Sequence, residues 1–219
     1  MSIKIYPSLL AANQLDIGPS IEECISQDLK TLHIDIMDMH YVPNIGLSTM
    51  LCQQITERFP DLQCHVHLMT LCPERYLDAL FSSNVSAIAI HPHTTQAPQS
   101  IIKDIQKQNI AAGLAINPHE PLDSFFNYEF DYFLMMGVTP GFSGQTLNQS
   151  LFEKIKIIKD HPKFSKHEVV ADGGINIHNI NQLVKLNVDG CVIGSGIFNH
   201  KNAISENILK IKDQLASMK

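Results

Sequence analysis

The stretch TLHIDIMD, residues 31–38, decides the fold: His33, Asp35 and Met37 alternate with Leu32, Ile34 and Ile36. Period-two alternation marks a β-strand, whose successive side chains point to opposite faces. One face is aliphatic; the other carries an imidazole and a carboxylate. Seven further apolar, β-leaning runs recur on either side, at residues 3–9 (IKIYPSL), 63–69 (QCHVHLM), 87–92 (AIAIHP), 111–117 (AAGLAIN), 131–136 (DYFLMM), 168–174 (EVVADGG) and 190–196 (GCVIGSG). Between them lie segments of helical spacing or composition: 21–29, 49–59, 74–83, 99–108, 150–160, 179–187 and 206–218, with a weaker one at 122–130. Strands that alternate with helices must run parallel, because parallel neighbours cannot be joined by tight hairpins. Eight repeats predict an α/β chain folded as a (β/α)8 TIM barrel, a single domain over residues 1–219. A doubly wound open sheet would usually place a Gly-rich turn after its first strand, and here that strand runs into SLLAAN.

Composition fits this reading. Among 219 residues 44% are apolar and 17% charged, a balance that suits a filled core and excludes global disorder. Lys plus Arg number 16 against 22 for Asp plus Glu, and a formal charge of −6 disfavours nucleic acid as a partner. Cys24, Cys52, Cys64, Cys72 and Cys191 are scattered, without a CxxC pair, and read as free thiols. No run of 18 apolar residues and no secretory leader pattern occurs, so no membrane partner and a cytoplasmic location are expected.

In a barrel of this kind chemistry sits at the C-terminal ends of strands, and phosphate commonly binds in the last βα loops. The second run places His33 and Asp35 on one face, the third places His65, His67 and Met69 on one face, and the seventh ends in Asp172-Gly173-Gly174. Imidazole and carboxylate together suit Zn²⁺, Mn²⁺, Fe²⁺ or Co²⁺, so His33, Asp35, His67 and Asp172 are candidate ligands of one divalent ion. Asp35 and Asp172 also form a candidate acid/base pair for moving a proton beside a carbonyl. The loop Thr139-Pro140-Gly141-Phe142-Ser143-Gly144-Gln145, with Gly173-Gly174 and Gly194-Ser195-Gly196, offers backbone amides for a phosphate without an obligatory Arg or Lys.

With these residues in view, the chain resembles the ribulose-phosphate 3-epimerases, metal-dependent members of the ribulose-phosphate-binding barrels. The resemblance runs through Pro7-Ser8-Leu9-Leu10, HIDIMD, Val42-Pro43-Asn44, His67-Leu68-Met69, His91-Pro92, Asn117-Pro118, Pro140-Gly141-Phe142, Gly144-Gln145, Asp172-Gly173-Gly174-Ile175 and Gly194-Ser195. It implies that His33, Asp35, His67 and Asp172 hold one divalent ion per subunit (Zn, Fe, Mn or Co), and that Asp35 and Asp172 are the acid and base. It further implies that Ser8 and His67 contact the sugar and that Met37, Met69 and Met136 lie beside the reacting carbons. Gly141, Phe142, Ser143, Gly144, Gly173, Gly174, Gly194 and Ser195 would bind substrate, mainly its phosphate. The implied reaction inverts C3 of D-ribulose 5-phosphate to give D-xylulose 5-phosphate through a 2,3-enediolate, in a homo-oligomeric enzyme of carbohydrate metabolism.

Departures from that family's pattern are His65 in place of an aspartate, Met39 in place of a glycine, Thr139 in place of an acid or asparagine, Ser143 in place of a glycine and Ala171 in place of a valine. All are expected to surround the pocket. Alternative readings are an epimerase for a related ketose phosphate such as allulose 6-phosphate, or a non-catalytic sugar-phosphate-binding barrel. A decarboxylase of the same superfamily would call for Asp-x-Lys-x-x-Asp, and this chain has no lysine between its acids at 35 and 38.

Overall fold

The computed structural model describes residues 3–199 and 201–217. Eight strands, β1 (Lys4–Pro7), β2 (Thr31–Met37), β3 (Gln63–Met69), β4 (Val85–Ile90), β5 (Ala111–Ile116), β6 (Tyr132–Met136), β7 (Glu168–Asp172) and β8 (Gly190–Ile193), all pair in parallel in the order β1-β8-β7-β6-β5-β4-β3-β2. The two ends of that order meet at one parallel bridge, Ser8 with His33, so the barrel is closed by a short seam between β1 and β2. The fold is the expected TIM barrel.

Helices α1 (Ile17–Ser26), α2 (Thr49–Arg58), α3 (Leu77–Phe81), α4 (Pro98–Lys107), α5 (Ser150–Asp160), α6 (Ile180–Lys185) and α7 (Ile204–Ala216) return the chain between strands or follow the last of them. The weak segment at 122–130 forms only a 3-10 turn, Leu122–Phe125. Its aromatics explain why: Phe130 drives edge-on into Phe133, centroids 4.7 Å apart, and a continued helix would turn it elsewhere. Helix α1 starts earlier than its hydrophobic spacing suggested, because Pro19 sits harmlessly in a first turn where the backbone N–H is unneeded. It ends at Ser26 because Asp28 turns left-handed at φ 53°. The last helix was expected to reach Met218, which lies outside the described residues.

Alternation along the strands sorts the side chains into two cores. Outward residues such as Ile34, Val66, Ile88, Leu114, Phe133 and Val169 pack under the helices. Inward residues Tyr6, Ala87, Ala89, Ala115, Tyr132, Leu134, Val170 and Val192 fill the barrel. Two large rings fit there because Gly113 and Gly190 leave the space that Tyr132 and Tyr6 occupy. All five cysteines are free, as expected.

After β2 the chain loops back through Asp38, whose carboxylate accepts the backbone amides of His40, Tyr41 and Leu71 at 2.9, 3.0 and 2.8 Å. Burial opposes its ionisation, but these amides hold its pKa below the ordinary value. Met39, next in line, has φ 62° and a mostly exposed side chain. Left-handed backbone costs an ordinary residue about 1–2 kcal/mol, partly offset against glycine's larger unfolded entropy. Met39→Gly is therefore expected to stabilise the fold by up to about 1 kcal/mol, read as a higher urea midpoint at unchanged m.

Candidate active site

Register brings the chemistry together. Asp35 pairs across to His67, and His33 to His65, so both strands present their polar faces at matched heights. Asp172 arrives from the far side at the end of β7. His33 Nε2 lies 3.3 Å from Asp35 Oδ1 and 3.5 Å from Asp172 Oδ2; His67 Nδ1 lies 3.5 Å from each of the same two oxygens. All four residues are buried.

These separations are too long and too poorly directed for hydrogen bonds, and both imidazole nitrogens lack a hydrogen-bond partner among the described residues. They suit a different occupant. A tetrahedral ion with bonds of about 2.0–2.1 Å to N and O has ligand–ligand edges of about 3.3–3.4 Å. Two neutral imidazoles and two carboxylates around one point thus form a set able to hold a divalent metal ion.

Electrostatics agree. Burial pulls the imidazolium of His33 down, but the carboxylates of Asp35 and Asp172 outweigh it and raise its pKa to about 10. His67 is raised by the same two acids against the same burial. Burial opposes ionisation of Asp35 and Asp172, yet both are held below the ordinary carboxylate range by the two histidines. The pair of acids demands about two positive charges, which protons or a dication can supply.

Behind each of these histidines stands a second one. His33 Nδ1 is 2.9 Å from His65 Nδ1, and His67 Nε2 is 2.9 Å from His91 Nε2. Burial, then repulsion from the neighbouring imidazoles, pushes His65 and His91 well below the ordinary value, so both are neutral. Each can accept the outer N–H of its partner, which leaves the inner nitrogen's lone pair facing the acids. His65 lies flat on Tyr6, stacked at 4.9 Å, with Tyr132 tilted against it at 5.2 Å. An imidazole thus fits here as a neutral hydrogen-bond partner.

Above this cluster opens a cavity. Ser8, Asp35, Met37, Met69, Met136, Gly141, Phe142, Ser143, Gly144, Asp172, Gly173, Gly174, Gly194 and Ser195 all line it, whereas His33 and His67 lie beneath its floor. Ser8 donates its hydroxyl to Asp35 Oδ2 at 2.7 Å. Met37 and Met69 pack on Val42 at the rim. Gly174 is left-handed at φ 71°, and a Cβ there would lie 2.6 Å from the backbone nitrogen of Leu147, so only glycine lets the two loops close. The amides of Gly174 and Ser195 have no acceptor among the described residues, as an anion-binding rim requires.

Of the departing positions only Ser143 lines the cavity. Ala171 faces the helices, its alternation with Asp172 turning it outward. Met39 and Thr139 lie on exposed loops, and His65 lies below the site. The expectation that all five surround the pocket is corrected on these four. Missed by sequence reasoning were the residues that hold the loops. Gln145 donates to the carbonyls of Thr139 and Phe142, both at 2.8 Å, and Asn44 donates to the carbonyl of Gly141 at 2.7 Å. His91 had been given no role. The Asn44 contact joins loops distant in sequence, the Gln145 contacts close a single irregular loop, and neither leaves a periodic signal.

A closed parallel barrel with paired histidines and aspartates at the C-terminal ends of its strands, under glycine loops, defines a TIM-barrel enzyme with a candidate metal centre. The sequence profile of the ribulose-phosphate 3-epimerase family matches residues 4–198. A ribulose-phosphate 3-epimerase of Buchnera aphidicola subsp. Baizongia pistaciae is 35% identical over 202 residues, covering 89% of this chain and 88% of the relative. That of Aquifex aeolicus is 32% identical over 217 residues, covering 97% of each. Phosphoribosyl anthranilate isomerase from Thermus thermophilus shares the fold, with a TM-score of 0.68 at 14% identity over 99% of this chain and 100% of the other. The chain belongs to the ribulose-phosphate 3-epimerase family, and is an epimerase of that family. Among the described residues no helix is long and apolar enough to cross a membrane.

Proposed function

We propose that the chain interconverts D-ribulose 5-phosphate and D-xylulose 5-phosphate, with Asp35 and Asp172 exchanging the proton at C3. The observation that carries this is the convergence of the two carboxylates, from β2 and β7, on the same pair of imidazoles at the cavity floor. A ketose seated between them presents opposite faces of C3 to the two acids. One ionised carboxylate takes the proton and leaves a 2,3-enediolate; the other, protonated, returns one to the opposite face. Ser8, bonded to Asp35, orients that carboxylate and excludes a competing rotamer.

His33, Asp35, His67 and Asp172 would hold one divalent ion, Zn, Fe, Mn or Co. When bound, the ion supplies positive charge beside the oxygens on which negative charge develops. Met37, Met69 and Met136 give the reacting carbons a dry apolar wall, which strengthens those electrostatics. The phosphate lies against the loops of Gly141 to Gly144, Gly173, Gly174, Gly194 and Ser195, held by amides at fixed positions.

The test is solvent exchange. Ribulose 5-phosphate in D2O with purified, metal-loaded protein is expected to gain deuterium at C3 while xylulose 5-phosphate appears in the proton NMR spectrum. Binding of the sugar phosphate without exchange, with each of the four metals, would remove the epimerase assignment for this substrate and favour another ketose phosphate.

A further inference from the structure

Three loops at the mouth of the barrel are tied together at one hydroxyl. Tyr41, in the loop after β2, accepts Asn117 Nδ2 from the loop after β5 at 3.0 Å and meets His93 Nε2 from the loop after β4 at 3.1 Å. His93 Nδ1 lies 3.0 Å from Glu120 Oε1, and Glu120 Oε2 accepts the amide of Asn117 at 2.7 Å, which closes a ring. With His93 neutral and its hydrogen on Nδ1, every donor in the ring meets an acceptor: Asn117 gives to Tyr41, Tyr41 to His93, and His93 to Glu120. Burial opposes ionisation of Glu120, but His93 and the Asn117 amide hold its pKa below the ordinary value, so a carboxylate ends the chain of donors. Lys154 of α5 fixes the Asn117 turn from outside, donating to its carbonyl at 2.9 Å. None of the four ring side chains lines the cavity.

Tyr41 nevertheless reaches the cavity through its neighbours. Its side chain packs on the cluster of Met37, Val42 and Met69, and both methionines line the cavity. Val42, next in the chain, abuts Gly141, where a Cβ would lie 3.4 Å from that of Val42. Residues 41–44 therefore form a strut that runs from the ring along the methionine wall, and Asn44 carries it on to the carbonyl of Gly141 at 2.7 Å. We propose that Tyr41 is a positioning residue of this site: its hydroxyl, held in the ring, fixes the strut and with it the places of Met37 and Met69. No member of the ring touches substrate on this account. A small displacement of the wall is enough, since a misplacement of about 1 Å far from the chemistry can cost ~100-fold in rate. The kinetic consequence rests on the epimerase reading, whereas the placement of the two methionines does not.

Tyr41→Phe removes the hydroxyl and keeps the aromatic ring. In the full chain with carbon-13 methionine methyls, the NMR signals of Met37 and Met69 are expected to shift or broaden, while that of exposed Met50 on α2 stays in place. In the metal-loaded chain kcat is expected to fall by ~10-fold or more while KM changes by less than about 3-fold, as befits a group that acts on the reacting carbons rather than on binding. His93→Ala takes away the other side of the same hydroxyl and is expected to have the same effects. The double variant should lose no more than the worse single one, because one ring is broken in each case. Unmoved Met37 and Met69 signals, an unchanged kcat or additive losses overturn the proposal, and so does a lowered thermal midpoint as the sole effect, which marks a merely structural bond. If the wild type itself leaves ribulose 5-phosphate unchanged, the epimerase reading fails and the methyl signals alone decide the positioning. Should Tyr41→Phe not fold, His93→Ala decides by the same readings.

Discussion

Asp172→Asn is expected to lower kcat for epimerisation by about 10²–10⁴-fold while the chain stays folded. The amide keeps the shape of the carboxylate and can still face His33 and His67, but it cannot carry a proton away from carbon. Asp35→Asn is expected to do the same, with an added loss of the Ser8 hydrogen bond to Oδ2. The two variants should differ in what survives. Each retains the acid that serves one face of C3, so each should still exchange deuterium slowly into one epimer without forming the other. The retained epimer should be opposite in the two variants. Proton NMR in D2O, started from each sugar phosphate in turn, reads all four combinations. Wild-type epimerisation in either variant would contradict the two-acid assignment.

Removal of the proposed metal ion is expected to have the second large effect. Loss of a dication that offsets developing charge is worth several kcal/mol, or about three decades of rate and more, restored by adding metal back. The charge accounting predicts how binding responds to pH. In the metal-free chain the raised His33 and His67 hold protons that an incoming ion must displace. Affinity should therefore rise with pH, by roughly 100-fold per unit while both imidazoles are protonated, and two protons should be released on binding. Calorimetry in two buffers of different ionisation enthalpy measures that number. Stability of the metal-free chain runs the other way above neutrality. His33, raised to about 10, stabilises fully below its unfolded value of about 6.5 and loses that contribution as pH climbs through about 10. Asp35 and Asp172, held low, stabilise above about pH 4 and lose this as pH falls through their folded values. The thermal midpoint without metal should peak between those limits and fall toward pH 10, and bound metal should flatten the alkaline fall.

Much of this was legible before any coordinates. The period-two alternation of TLHIDIMD and QCHVHLM already placed His33, Asp35 and His67 on one face, because strand geometry leaves no alternative. Asp172 could be placed at the same mouth because parallel strands all end on one side of a barrel. What alternation does not report is who stands behind whom. The contacts of His65 with His33 and of His91 with His67 depend on register between strands, and on a register shift at Cys64/His65 where β3 meets β4. Likewise 122–130 has helix-compatible residues, yet Phe130 is claimed by Phe133, a tertiary contact that outweighs local preference. The positive φ of Met39 and its exposure on an outer loop follow from the Asp38 turn, which no periodicity encodes.

The short seam between β1 and β2 bears on how the chain comes apart. Every other joint in the barrel is a ladder of several paired residues, whereas this one is a single bridge reinforced by the hydroxyl of Ser8 on Asp35. The molecule is in effect a rolled sheet fastened by groups of its candidate site, and unrolling is expected to begin at that clasp. A ligand that engages Asp35 and the strand facing it holds the clasp shut, so occupancy of the site should govern amide exchange along β1 and the start of β2 more than anywhere else in the barrel. Chemistry and mechanical integrity share one address in this fold, and a change that loosens one loosens the other.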